Sequence, residues 1–204
     1  LKELQDAWEI EAEKYGVYPI DPDRRTRNVT RINKLGRKEP QITYERLGAQ
    51  RINESLSPPV KNRSFTITAQ LTASGNQDTQ GVIATSGGMT GGYALYVHKG
   101  KPVFVHNLYN DEHYYVRGDK VLPQGDVEVR FDFEKNADNN GGIGRIFVNG
   151  KEVGAAEIPK TIPNMYSLDE GFDIGRDEGS SVTPEYAPPF EYTHDIDKVV
   201  FDLK

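Results

Sequence analysis

No cysteine occurs in the 204 residues. That absence excludes disulfides, thiolate zinc sites and thiol nucleophiles together. No run of about 18 apolar residues occurs either, so no stretch reads as a membrane-spanning helix. Basic residues are the minority charge: 25 Lys and Arg stand against 31 Asp and Glu, for a net charge of -6. That sign argues against a nucleic-acid surface, which rewards positive charge. Two local exceptions, Arg24-Arg25-Thr26-Arg27 and Lys34-Leu35-Gly36-Arg37-Lys38, fall in a polar stretch and read as solvated linker charge. The opening Leu1-Lys2-Glu3-Leu4 has neither a basic n-region nor an apolar h-region, so it reads as mature chain rather than signal peptide.

Two regimes of periodicity follow. Leu1, Leu4, Trp8, Ala12 and Tyr15 recur every three or four residues, which predicts an amphipathic helix over residues 1–15 stopped by Gly16. Pro19 and Pro22 forbid its continuation, and residues 21–40 read as an extended polar linker. From residue 41 the period becomes two. Phe65, Ile67, Ala69 and Leu71 alternate with Thr66, Thr68, Gln70 and Thr72; Val127, Val129, Phe131 and Phe133 alternate with Glu128, Arg130 and Asp132; Val199, Phe201 and Leu203 repeat the pattern. Such alternation predicts half-buried antiparallel strands. His98–Lys101 and Asn149-Gly150 read as hairpin turns, the latter a preferred type I′ pair. Asn136–Gly144 reads as a flexible loop, and the pairs Gly87-Gly88 and Gly91-Gly92 as a mobile loop at one end. The fold class is mainly β: an antiparallel β-sandwich preceded by one N-terminal amphipathic helix and a linker.

Five stretches resemble, in order, the C-terminal part of bacterial arylsulfatases, members of the formylglycine-dependent sulfatase family. They are Leu1–Asp23, Val60–Ala69, Gly91–Val97 running into Lys101–Asn107, Phe147–Gly154, and Ser167–Asp177. The resemblance implies that residues 1–40 are the closing helix and linker of the sulfatase domain and that residues 41–204 form a concanavalin-like or jelly-roll sandwich. It implies a parent enzyme that hydrolyses sulfate esters, uses formylglycine and a divalent metal (calcium), and is periplasmic or secreted. The partner of this chain would be its own sulfatase catalytic domain. The formylglycine motif, C/S-x-P-S-R, has no counterpart here; Ser55-Leu56-Ser57-Pro58-Pro59 comes nearest and lacks the Ser and Arg that must follow. The expectation is therefore a non-catalytic accessory domain that holds no cofactor of its own.

An alternative is a carbohydrate-binding module that targets the parent to a sulfated glycan. Sugar sites combine exposed aromatics, whose faces stack on C–H-rich rings, with amides and carboxylates that bind hydroxyls. Tyr109, Asn110, His113, Tyr114 and Tyr115, with Asp111, form such a cluster between strands. If the cluster lies on a strand, period two turns Tyr114 and Tyr115 to opposite faces. Glu128, Arg130, Asp132 and Glu134 share one strand face but lack the carboxylate spacing of sandwich glycosidases, and read as a solvated face. Asp169, Glu170, Asp173, Asp177 and Glu178 crowd around glycines as calcium ligands do, yet without EF-hand spacing, and read as turn acids. The four histidines, His98, His106, His113 and His194, lack zinc-site pairing.

Overall fold

The computed structural model describes residues 1–18, 39–45 and 48–204. The predicted linker lies almost wholly outside the described residues. The chain divides into an N-terminal unit and a sandwich unit. In the first, α1 spans Lys2–Lys14. It ends as its sequence predicts: Gly16 N–H donates to the Glu13 carbonyl (3.2 Å) and Val17 N–H to the Ala12 carbonyl (2.9 Å), a Schellman closure.

The described residues of the second unit form a sandwich of eleven strands in two antiparallel sheets. The strands are β1 (Gln41–Glu45), β2 (Phe65–Ser74), β3 (Gly81–Gly88), β4 (Gly91–His98), β5 (Lys101–Leu108), β6 (Glu112–Arg117), β7 (Gln124–Lys135), β8 (Gly142–Val148), β9 (Lys151–Ile158), β10 (Phe172–Ile174) and β11 (Ile196–Leu203). One sheet runs β1-β11-β2-β7-β8-β9 and the other β10-β3-β4-β5-β6. The alternation read from β2, β7 and β11 holds. Ile67, Ala69, Val129, Phe131, Val199 and Phe201 are fully buried, while Thr68, Gln70, Glu128, Arg130 and Asp132 form the solvent side of the six-stranded sheet. Between the sheets, the rings of Phe104 (β5) and Phe131 (β7) stack at 3.7 Å with 7° between their planes. Phe65, Phe133 and Tyr93 extend that aromatic seam.

The turns follow their residue types. Lys99-Gly100 and Asn149-Gly150 both take left-handed conformations, as the type I′ reading of Asn149-Gly150 requires. Two loop readings are corrected. Gly142–Gly144 belong to β8, so the loop shrinks to residues 136–141, which Asn139 pins by accepting from Gly141 N–H (2.7 Å) and from Asn136 Nδ2 (3.2 Å). Gly144 serves close approach: a Cβ there would stand 2.7 Å from a Val116 methyl and 2.9 Å from the Phe131 ring. Gly87, Gly88, Gly91 and Gly92 are likewise strand residues of the β3–β4 hairpin rather than a mobile loop.

Replacing Phe131 by Ala takes one ring out of a stack that has no solvent on either side. We expect a loss of about 3–5 kcal/mol, read as a shift of the urea midpoint with little change in slope.

Candidate functional site

The five-stranded sheet is apolar on both faces. Its inward side carries Ile83, Tyr93, Leu95, Phe104 and Val116, packed against the other sheet. Its outward side carries Val82, Ala94, Tyr96, Val103 and Val105, also buried. The cover on that outward side is the chain's own segment 175–195. Val182, Tyr186 and Phe190 supply its apolar contacts. A polar clasp fastens it. Arg117 holds Glu185 bidentately (Nη2–Oε1 2.5 Å, Nη1–Oε2 3.1 Å), and the Tyr96 hydroxyl donates to the same carboxylate. Tyr115 and Thr183 share a hydroxyl–hydroxyl bond of 2.7 Å. Burial pushes the Glu185 carboxyl up, but the Arg117 and Tyr96 hydrogen bonds outweigh it and hold the group below its usual range. The broad face of this sheet is thus closed to ligand, and what it leaves accessible is its rim.

At one end of the rim, two hairpin tips are bound together through a buried amide. Asn107, with no exposure, donates from Nδ2 to the carbonyls of Gly88 (2.9 Å) and Met89 (3.1 Å), and its Oδ1 accepts from Asn110 N–H (2.8 Å). The tips of the β3–β4 and β5–β6 hairpins are thereby locked side by side. Met89 N–H donates to Ser180 Oγ (2.9 Å), and Ser180 N–H to Glu170 (2.8 Å). Thr90 Oγ1 reaches the Tyr166 carbonyl (3.4 Å), and Glu54 accepts from the backbone N–H of Tyr166 and pairs with Lys61. Gly91 lets this packing happen: its φ is +146, and a Cβ would stand 2.6 Å from Ile162 Cδ1. Outside residues 1–18, the described large hydrophobics with the greatest exposure are Leu56, Met89, Tyr109, Ile143, Met165 and Leu168. Five of those six, all but Ile143, stand on these loops, so the exposed apolar surface of the sandwich is concentrated at this end.

The residues of the suspected sugar cluster separate. Tyr109 and Asn110 are the corners of the β5–β6 turn, which Asp111 N–H closes onto the Leu108 carbonyl (3.0 Å). Tyr109 has φ +56 and is half exposed. An aromatic side chain in the left-handed region is strained, where Gly, Asn or Asp would be at ease. Tyr114 and Tyr115 face opposite ways, as period two requires. Tyr114 packs on the inter-sheet core and donates to Glu112 (2.7 Å). Tyr115 packs on the outer cluster beneath the Arg117 guanidinium, which lies 4.2 Å from its ring. His113 lines up with Tyr115 at 6.3 Å between ring centroids. Of the cluster, Tyr109, Asn110 and Asp111 stand at the open tip; Tyr114 and Tyr115 are committed to packing. Asn107 and segment 175–195 escaped the sequence reading. A signal was present: Tyr93–Val97 and Pro102–Val105 are unbroken apolar runs, the mark of strands buried on both faces.

Elsewhere the candidates resolve into structural roles. The turn acids 169–178 mostly carry fixed partners: Asp173 accepts from Arg51 N–H (2.5 Å), Asp177 from the Tyr186 hydroxyl (2.7 Å), and Glu178 pairs with Arg176 (3.0 Å). Among the described residues, no group of three or more His, Cys, Asp or Glu could hold a metal ion. His106 is buried, and its Nε2 accepts from Ile162 N–H (3.1 Å); burial lowers its pKa to about 4. It lines, with Tyr93, Tyr166, Lys61 and Thr161, a cavity of about 20 Å³.

No family sequence model and no curated protein matches this chain. Solved structures match its fold. The CBM40 module of the Ruminococcus gnavus IT-sialidase, bound to α2,6 sialyllactose, superposes with a TM-score of 0.54 at 14% identity, over 78% of this chain and 90% of that one. The NanB sialidase of Streptococcus pneumoniae gives 0.50 at 15% identity, over 79% of this chain and 25% of that one. At such identities the likeness is one of β-sandwich fold alone.

The clasp of segment 175–195 makes stability depend on pH. Burial lifts the Asp177 pKa from 3.8 to about 6, the Tyr186 hydroxyl opposing the rise and Asp173 and Glu170 adding to it. A folded-state pKa above the unfolded one means that the folded chain binds the proton more tightly. This group therefore adds stability as pH falls from about 6 towards 4, by at most about 2–3 kcal/mol. His106 has the opposite sign, losing stability as pH falls from 6.5 through 4. Between pH 7.5 and 4.5 the melting temperature of the wild type should rise relative to that of Asp177→Asn as the pH falls through about 6. A constant offset would disprove the assignment.

Proposed function

We propose that this chain is a non-catalytic carbohydrate-binding module that serves a larger enzyme. The observation that carries the reading is Tyr109: an aromatic ring, half exposed, on a backbone conformation that disfavours it, at the tip of a turn anchored by a buried amide. Strain of this kind costs about 1 kcal/mol and persists where the side chain is wanted for something other than folding. Its neighbours Asn110 and Asp111 supply an amide and a carboxylate for sugar hydroxyls, and the fixed tip lowers the entropy lost on binding. The fold is shared with a module bound to sialyllactose, which supports glycan as the ligand class.

A second reading concerns the parent enzyme, and α1 favours it. Leu4, Trp8 and Tyr15 are 75%, 47% and 70% exposed. A 13-residue helix is marginal alone, so its apolar stripe calls for a partner surface. In the sulfatase resemblance that surface is the catalytic domain, and the parent would act on sulfate esters in the periplasm or outside the cell. The parent's formylglycine and calcium do not fit this chain. The nearest serines are spent locally, Ser55 Oγ on Asn53 (2.7 Å) and Ser57 Oγ on the Glu54 carbonyl (2.7 Å), and the described residues contain no cluster of three or more His, Cys, Asp or Glu placed to hold an ion.

Glycan-array binding followed by calorimetry tests the first reading. Tyr109→Asn should weaken binding about tenfold or more, while relief of backbone strain raises stability by a few tenths to about 1 kcal/mol. A variant that is destabilised and binds as before would refute the role given to Tyr109. For the second reading, the chain alone should not turn over an aryl sulfate, and the coding sequence before Leu1 should carry the C/S-x-P-S-R motif; turnover in a clean preparation, or an upstream sequence without the motif, counts against it.

A further inference from the structure

We infer that the cavity between the sheets, where β4 begins and β5 ends, is a binding site for one uncharged oxygen: a water, or the hydroxyl of a small alcohol. The inference is independent of the glycan reading above. Tyr93 and His106 stand directly opposite each other in the β4–β5 pair, and both line the cavity. The Tyr93 ring is held in place. It stacks on Phe104 (5.9 Å between centroids, 19° between planes) and meets Tyr166 edge-on at 5.8 Å. Its hydroxyl is buried, yet no described residue bonds to it. A buried hydroxyl in that condition has given up its bonds to solvent without replacement, and native proteins seldom leave one so.

His106 supplies the second polar atom. Its Nε2 accepts from the Ile162 N–H (3.1 Å), so that nitrogen carries no proton. Burial keeps the ring neutral, and a neutral imidazole then has its proton on Nδ1. No described group accepts that proton. One O–H and one N–H donor, from adjacent strands, thus lack acceptors beside the same cavity. The wall from Phe65, Phe133 and Ile158 is apolar and offers none. The volume of about 20 Å³ has room for a water-sized group, which needs about 10–15 Å³. An oxygen seated there accepts from Tyr93 and from His106, and two polar partners are the fewest that an ordered water takes. The partly exposed members of the wall, Lys61 and Thr161, mark the way in. Lys61 is paired with Glu54, so an ionised group entering would lose its hydration without gaining a counter-charge. An alcohol has the chemistry to fit: its oxygen meets the two donors and its carbon meets the aromatic wall.

NMR of the intact chain with isotope-labelled histidine tests this. The His106 ring should show the Nδ1–H tautomer, and that proton should give a cross-peak to a long-lived water. Titration with methanol separates the two sources of oxygen. A cross-peak from its methyl group to the Phe104 or Phe133 ring, with loss of the water peak, assigns the site to alcohols; a water peak that methanol leaves unchanged assigns it to water alone. Tyr93→Phe gives an independent sign. With an oxygen bound, loss of the hydroxyl should lower the melting temperature by about 2–4 °C. In a dry cavity the same change removes an unsatisfied group and raises it. An Nε2–H tautomer overturns the inference, and so does an Nδ1–H without any water or methanol peak together with a raised melting temperature for Tyr93→Phe.

Discussion

A sheet that is apolar on both faces must be covered twice, and this constraint shapes the whole sandwich unit. The six-stranded sheet covers one side of β10-β3-β4-β5-β6 through the Phe104–Phe131 stack and its neighbours. Segment 175–195 covers the other with Val182, Tyr186 and Phe190. Burying an aromatic or branched aliphatic side chain is worth about 1.5–3 kcal/mol. An uncovered outer face, with Val82, Tyr96, Val103 and Val105 in water, would thus forfeit several such terms.

The cover carries buried polar groups, and each is compensated. Glu185 lies between Arg117 and Tyr96, Asp177 receives the Tyr186 hydroxyl, and Thr183 is tied to Tyr115. These bonds select one placement of a segment that has no regular secondary structure, because a buried polar atom left without a partner costs about 1–3 kcal/mol. Closing the face has a functional consequence. Of the five-stranded sheet, only the rim stays accessible, where the exposed apolar side chains collect and where Asn107 fixes two hairpin tips against each other. The strain at Tyr109 and the exposure of its ring both belong to that end.

Much of the architecture was legible in the residues. Period two in β2, β7 and β11 named the inward side chains, Asn149-Gly150 named its turn, and the stripe ending at Gly16 named the helix. The glycine-rich stretches were misjudged because glycine marks mobility and close packing alike; which one applies depends on whether a distant side chain, such as Ile162 beside Gly91, fills the space a Cβ would take. The aromatic cluster at 109–115 was found as a group, yet its members divide between a turn and the two faces of a strand.

By itself, then, the sequence determined the fold class, the alternation that buries the inter-sheet core, the local turns and the excess of acid over base, since these depend on contacts a few residues apart or on composition. Tertiary structure alone decided which apolar face is sealed by residues 175–195 and that Asn107 joins two hairpins. Those facts arise from pairings such as Arg117 with Glu185 and Met89 with Ser180, 68 and 91 residues apart in the chain, and no local periodicity encodes them.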